Sequence, residues 1–464
     1  MTQEINEVIS PHEELLSETS GVDEETVDLF IDLVEAGARD GLIVAMEDYH
    51  PADMADVFEQ MPRQTFNTAV KLLDDMLPGD TIAELSEDLR IDALNALSDK
   101  VVADVLGELD SDDAALLASD LEDDRQERVF EQINATDRAA IETSLNFDEE
   151  TAGRLMQRDF VAAPEFWTVG QAIDHMRSTE DLPEPFFEVY LVDPGFRFVG
   201  AVPLSVLICA PRETLLSDLG VDISAAVKPD MDQEEVAYIF QQYNLASVPV
   251  LDEAGRLTGM ITVDDMVDVI HQENKEDMLA LSGVRDGGSY QSVWDAVQSR
   301  APWLGVNLFT AFIVSGAISI FEDTLTEIIA LAVLMPVVAA LGGNAGSQAL
   351  AVTVRAIAER DMQGARAGRA VRREFLTAMF NGVVFSVGVG LIALVWFKDP
   401  QLSGVISVAM FSTFIWAGVS GVLVPIGLEK LGADPAVASS VFVLTSVDIV
   451  AFSSFLGLAT AVLM

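Results

Sequence analysis

The chain has 464 residues, half of them apolar, and its 76 acidic against 26 basic side chains leave a formal charge of −50. Such a field repels nucleic-acid phosphates and anionic lipid. One cysteine, Cys209, excludes an internal disulfide framework and a cysteine-rich zinc site, and the scattered His12, His50, His175 and His271 argue against a His-built metal centre. The length is enough for several domains, and the polar start MTQEINEVIS carries no signal-peptide pattern.

The charge divides the chain. Ala301–Met464 holds 8 basic and 10 acidic residues, a net of −2, so residues 1–300 carry −48. In chain order the sequence predicts a short N-terminal tail (1–20), an acidic helical domain (21–148), an α/β pair (149–275), a connecting helix (276–301) and a membrane domain (302–464).

The helical region is built of segments such as PADMADVFEQMP and SDDAALLASDLEDDRQERVFEQI. Their apolar residues recur at i, i+3 and i+4, and Asp or Ser stands at the starts as a cap. A quasi-repeat of roughly 17–20 residues predicts stacked helical hairpins, a small α-solenoid, with an irregular bundle as the alternative.

From about 150 the texture becomes strand–turn–strand–helix. Val189–Val192 and Phe198–Val202 flank a Pro194-Gly195 turn. The pattern returns as Ser247–Leu251 and Leu257–Ile261 around Asp252–Gly255. Helical stretches (TVGQAIDHMRS and DQEEVAYIFQQYN) precede each copy. This tandem resembles a pair of CBS modules. Gly259, Thr262 and Asp265 have the G-x-x-T-x-x-D spacing that such modules use for a nucleotide ribose, which points to ATP or another adenine nucleotide; Thr262 equally suits an ordinary helix N-cap. The link that follows, HQENKEDMLALSGV, a Gly-containing break and YQSVWDAVQSRAPW, predicts an amphipathic helix lying along the membrane surface.

Five apolar runs then follow: Pro302–Phe321, Ile328–Val354, Phe375–Phe397, Pro400–Leu428 and Pro435–Met464. Each exceeds or approaches the roughly 20 residues that cross a bilayer core. Six of the eight basic residues lie between the second and third runs, which the positive-inside rule places in the cytoplasm. The N-terminal domains then lie inside the cell and the C-terminus outside.

Two features of these runs exceed the needs of lipid contact. Pro336, Gly342, Gly343, Asn344, Gly346, Ser347 and Gln348 weaken the second helix and bring polar groups to membrane depth, which is tolerated against protein or a water-filled cavity. Close packing through small residues accounts for the glycines but leaves Asn344 and Gln348 unexplained. Asp448 in the fifth run costs roughly 2.5–3.5 kcal/mol at a helix centre on insertion scales, and no basic residue within a run can neutralise it. A cation is the simplest partner. Oxygen ligands without His or Cys favour a hard ion, and Mg²⁺ keeps its waters.

Taken together, PVVAALGGNAGSQ, GRLTGMITVDDMVDVI and ADPAVASSVFVLTSVDIV resemble the MgtE family of magnesium channels and transporters over nearly the whole chain. The resemblance implies a homodimer with a pore between two membrane domains, lined by Gly343, Asn344 and Gln348, with Asp448 as the pore aspartate. It further implies that cytosolic Mg²⁺ closes the pore by binding Asp232, Glu234, Asp265, Asp268, Glu273, Glu276, Asp277 and Asp434; for the helical N domain it transfers no ligands. This chain departs from the pattern at Asn244, where the family often has an acid, and at Ser440-Val441, where Gly-Pro or Asn-Pro is common. The implied function is Mg²⁺ uptake down its electrochemical gradient across the inner membrane, with no enzymatic step. A Na⁺- or H⁺-coupled carrier, transport of Co²⁺ or Mn²⁺, and a non-conducting nucleotide sensor stay open. Only six of the basic residues are lysine, a balance that suits a cytoplasm of multimolar salt and a halophile.

Overall fold

A computed structural model describes residues 22–47, 49–179, 182–183, 186–220, 225–281, 284, 293–358, 365–433 and 435–464. It forms two compact units, residues 1–270 and 271–464.

The first unit begins with helices α1 (Glu24–Glu35), α2 (Arg39–Met46), α3 (Pro51–Gln60), α4 (Arg63–Leu73), α5 (Gly79–Ala83), α6 (Glu87–Ala96), α7 (Asp99–Glu108), α8 (Ser111–Ser119), α9 (Asp123–Phe130) and α10 (Ala135–Leu145). From α6 to α10 the starts fall at residues 87, 99, 111, 123 and 135, one helix every 12 residues. The repeating pair is therefore 24 residues long, and the expected 17–20 is too short. Loops of only two to four residues fuse neighbouring amphipathic windows in the sequence and hide the true period. Alternate helices pack on one another (α3 on α5, α4 on α6, α7 on α9, α8 on α10). One apolar core runs from Phe30 to Ile141. This is the packing of a solenoid.

The α/β part opens with the short helix α11 (Ala152–Leu155). Strand β1 (Ala162–Pro164), helix α12 (Val169–Ser178), strands β2 (Glu188–Val192) and β3 (Phe198–Pro203), and helices α13 (Leu204–Cys209) and α14 (Leu216–Leu219) make the first module. Helix α15 (Gln233–Tyr243), strands β4 (Ser247–Leu251) and β5 (Leu257–Thr262), and helix α16 (Val263–Leu281) make the second. β2 and β3 are antiparallel, as are β4 and β5, and the register slips at the same place in each hairpin, at Leu191/Val192 and Val250/Leu251. β1 lies parallel to β2, and Val227 repeats that pairing on Val250. The two turns meet: Phe198 N–H donates to Gly255 O at 3.0 Å and Leu257 N–H to Phe196 O at 3.3 Å. The fully buried Tyr190 joins the modules through a 2.8 Å hydroxyl bond to Ser247. The expected strands hold to within a residue.

The second unit contains five helices of spanning length and composition among the described residues. They are α17 (Val293–Ser319), α19 (Ile329–Ala358), α20 (Ala365–Phe397), α21 (Pro400–Lys430) and α22 (Pro435–Leu463), with the short α18 (Glu322–Glu327) between the first two. α21 is the most enclosed and packs on α19, α20 and α22; α17 packs on α22.

Two expectations change here. Residues 293–301 continue into the first span as one helix, α17, and do not form a separate surface helix. The second span is also unbroken: α19 continues through Pro336 and the Gly342–Gly346 segment. A helix surrounded by apolar partners has no water to compete for its backbone bonds, so glycines that would weaken it in solution are kept helical.

Candidate functional site

Gly342 and Gly346 lie on the buried face of α19. A Cβ on Gly346 would stand 3.2 Å from Val443 Cγ1 and 3.3 Å from Val447 Cγ2, and one on Gly342 would lie 3.1 Å from Val447 Cγ1 and overlap the Thr413 methyl group. A Cβ on Gly421 of α21 would meet Ala349 Cβ at 2.7 Å and Gly346 O at 3.0 Å. The glycines thus let three helices approach closely. Two residues on from Gly342, the helical rotation carries Asn344 away from this seam, and Asn344, Ser347 and Gln348 are exposed on the single chain, with Gly343 half-buried.

Asp448 follows the fully buried Val447 on α22 and is itself half-buried. Among the described residues no hydrogen bond or ion pair engages its carboxylate, whereas the nearby Ser446 hydroxyl accepts from Trp416 Nε1 at 3.3 Å and donates to Val443 O at 2.9 Å. The polar face of α19 and the α22 carboxylate therefore belong to two helices locked together at Gly342 and Gly346.

Sequence reasoning named Asp265 and Asp268 but missed the acids of the helical domain beside them. In the first unit, Asp110, Asp112 and Asp113 at the start of α8 share one environment with Asp264 and Asp265 at the start of α16. Burial, then the charge of Asp265, pushes the Asp112 carboxyl well above the usual carboxylate range, and its Oδ1 is buried without a hydrogen-bond partner. Burial raises Asp113 to about 6, helped by Asp110, Asp80 and Glu84 and opposed by Arg90. Asp265 rises to about 7, again chiefly from burial, although it accepts from the Thr262 hydroxyl at 2.6 Å. Glu84 is raised by burial and by Asp268, with His50 opposing.

Carboxylates gathered at two helix N-termini are favoured by the helix dipoles but repel one another. Among the described residues no three His, Cys, Asp or Glu side chains converge as direct ligands of one ion. An ion that keeps its water shell does not need them to.

The structure thus joins Asp265 and Asp268 with acids of the helical domain. The buried Thr262 spends its hydroxyl on Asp265, inside a negative field. Asp232 and Glu234 stand elsewhere, at the start of α15, where Asp232 caps the helix by accepting from Glu234 N–H at 2.9 Å. Glu273, Glu276 and Asp277 lie on the second half of α16, where Glu276 accepts from Gln272 at 2.9 Å. Asp434 lies outside the described residues. Asn244 closes α15 in the left-handed conformation at φ 52°, a position that Asn fills far better than an acid-bearing Glu. The one signal for the missed acids is Asp112 on the inner side of an otherwise apolar helical face. Among 66 acidic residues it does not stand out.

Known proteins match this arrangement along the chain. The family model MgtE, described as a divalent cation transporter, matches residues 335–458. The MgtE intracellular N domain matches 49–150 and the CBS domain matches 221–272, the second module. The magnesium transporter MgtE of Bacillus subtilis (strain 168) is 32% identical over 431 residues, covering 91% of this chain and 95% of the relative. The chain belongs to the MgtE family. The MgtE protein of Thermus thermophilus is 31% identical over 73% of this chain and 75% of its own length. Among solved structures, the soluble part of a magnesium transporter is 26% identical, with a TM-score of 0.49, covering 54% of this chain and 98% of that one. Membership of the MgtE family makes this a membrane transporter with soluble N-terminal domains and agrees with the absence of an enzymatic step from the expected function.

Proposed function

We propose that this MgtE protein is a homodimeric Mg²⁺ channel of the inner membrane, carrying Mg²⁺ into the cytoplasm down its gradient and closing when cytosolic Mg²⁺ is high. The observation that carries the reading is Asp448, an acid in a spanning helix without a basic partner. Desolvating it is costly, and a hydrated divalent cation offsets that cost through its waters. The exposed Asn344, Ser347 and Gln348 support a dimer. Polar side chains at mid-span face protein or water, and a second copy across a two-fold axis supplies both.

The same reading places the first unit in the cytoplasm, the C-terminus outside, and the Arg-rich α19–α20 connection inside. The acids Asp110, Asp112, Asp113, Asp265 and Asp268 are the sensor: repelling when bare, they pack when Mg²⁺ neutralises them. The orphaned Asp112 oxygen fits an aquo ligand of such an ion. Helix α16 begins beside Asp265. It carries Glu273, Glu276 and Asp277 on its second half, and Ala280 near its end packs against the apolar cluster that includes Leu350, Ala417 and Val443 of the membrane helices.

In liposomes holding the full protein, Asp448→Asn is expected to cut Mg²⁺ uptake by at least about tenfold, the rate equivalent of ~1.4 kcal/mol. Wild-type uptake by the variant would sink the assignment.

A further inference from the structure

Val447 precedes Asp448, is fully buried, and sits over both notches of α19: its Cγ1 faces the site of a Gly342 Cβ at 3.1 Å and its Cγ2 that of a Gly346 Cβ at 3.3 Å. A branched side chain with one methyl in each of two gaps one helical turn apart has a single axial position. Sliding α22 along α19 by a fraction of a turn drives a methyl into helix backbone, and a full turn is about 5.4 Å. The β-branched side chain is also stiff, so it cannot yield by rotating. On the same face of α19, Gly421 of α21 comes close to Ala349 and Gly346 O, so a third helix packs against the seam. Thr413 closes the seam, wholly buried, with its hydroxyl donating to Ala409 O at 2.9 Å.

We propose that Val447, seated on Gly342 and Gly346, is a register lock: a positioning residue that fixes the height of Asp448 against Asn344 and thereby sets the apparent affinity and selectivity of permeation. The inference rests on the reading of Asp448 as a pore residue. It assigns a role to the glycines of the second span beyond close packing. They form a ruler against which the carboxylate of another helix is placed.

The test is single-channel recording and Mg²⁺ flux on the full-length protein in liposomes, with thermal unfolding and elution volume measured alongside. Gly346→Ala is expected to raise half-saturating Mg²⁺ and lower unitary current by roughly threefold to tenfold. Adding Val447→Ala, which removes one of the two valine methyl groups that the new Cβ meets and leaves Val443 Cγ1 in place, relieves part of both changes. If Gly346→Ala does not assemble, Val447→Ala alone carries the test. It only deletes atoms, and the account expects it to shift half-saturation and Mg²⁺/Ca²⁺ selectivity at unchanged elution volume. Normal permeation in both single variants overturns the proposal, and so does a Gly346→Ala defect that Val447→Ala fails to relieve. Asp448→Asn in the same series separates the two readings. If it conducts normally, the pore assignment itself has failed. If it blocks while the seam variants conduct normally, only the register lock has failed.

Discussion

At the residue scale the proposed sensor is governed by where protons go when no metal is present. Asp112, Asp113 and Asp265 all hold their protons more tightly folded than unfolded, because burial disfavours the charged form. A carboxyl raised in this way stabilises the packed form fully below its ordinary value near 4. That stability is lost as pH rises through the folded values, here about 6 for Asp113 and about 7 for Asp265. Without Mg²⁺, thermal stability of the full protein in detergent is therefore expected to fall between pH 5 and 8, and saturating Mg²⁺ flattens the slope. Mg²⁺ binding releases protons, so its apparent affinity weakens toward pH 5. Asp112→Asn removes the repulsion but keeps the shape. It is expected to raise the metal-free Tm, by about 2–4 °C per kcal/mol gained, and to blunt the response to Mg²⁺. A lowered metal-free Tm would contradict the repulsion account.

At the element scale the helical domain is held by arginines that reach across its repeats. Arg125 on α9 donates to Asp99 Oδ1 at 2.9 Å and to the carbonyls of Leu94 and Leu97 at 2.8 Å each, tying off the end of α6. Arg90 pairs with Asp120, and Arg63 Nε with Asp92 at 2.5 Å. Arg125→Ala leaves two helix-end carbonyls without a donor and is expected to cost roughly 2–4 kcal/mol, read by thermal or urea unfolding. Lysine cannot fork to three acceptors, so Arg125→Lys recovers only part of this.

The same scale separates what the sequence reveals from what it hides. Strand alternation and Pro-Gly or Gly turns mark all four hairpin strands to within a residue, and five long apolar stretches, charged only at Asp448, mark the spans, because each signal is local. The 24-residue helical pair escapes because short loops blur its edges. Asp448 is legible because one acid in an apolar helix has no company. Asp112 is illegible because its meaning depends on Asp265, more than 150 residues away, and only the fold brings the two together. The unbroken α19 depends likewise on Thr413 and Val447, which lie on other helices.

At the scale of the whole molecule, −50 resolves into a nearly neutral transport unit and a strongly acidic soluble one. Most of the soluble charge is exposed surface, of the kind that keeps a protein hydrated in concentrated salt. The half-buried acids at the starts of α8 and α16 are a small subset, and the proposed sensing role requires that a divalent ion relieve their repulsion. Transport down a gradient then needs no covalent step and no co-ion. The account is tested most directly by inside-out patch recording of the reconstituted wild type, with Mg²⁺ the permeant ion and no Na⁺ or pH gradient. It predicts discrete Mg²⁺ currents whose open probability falls as Mg²⁺ at the cytosolic face is raised. Flux that appears only with an imposed Na⁺ or proton gradient, or an open probability indifferent to cytosolic Mg²⁺, would contradict it.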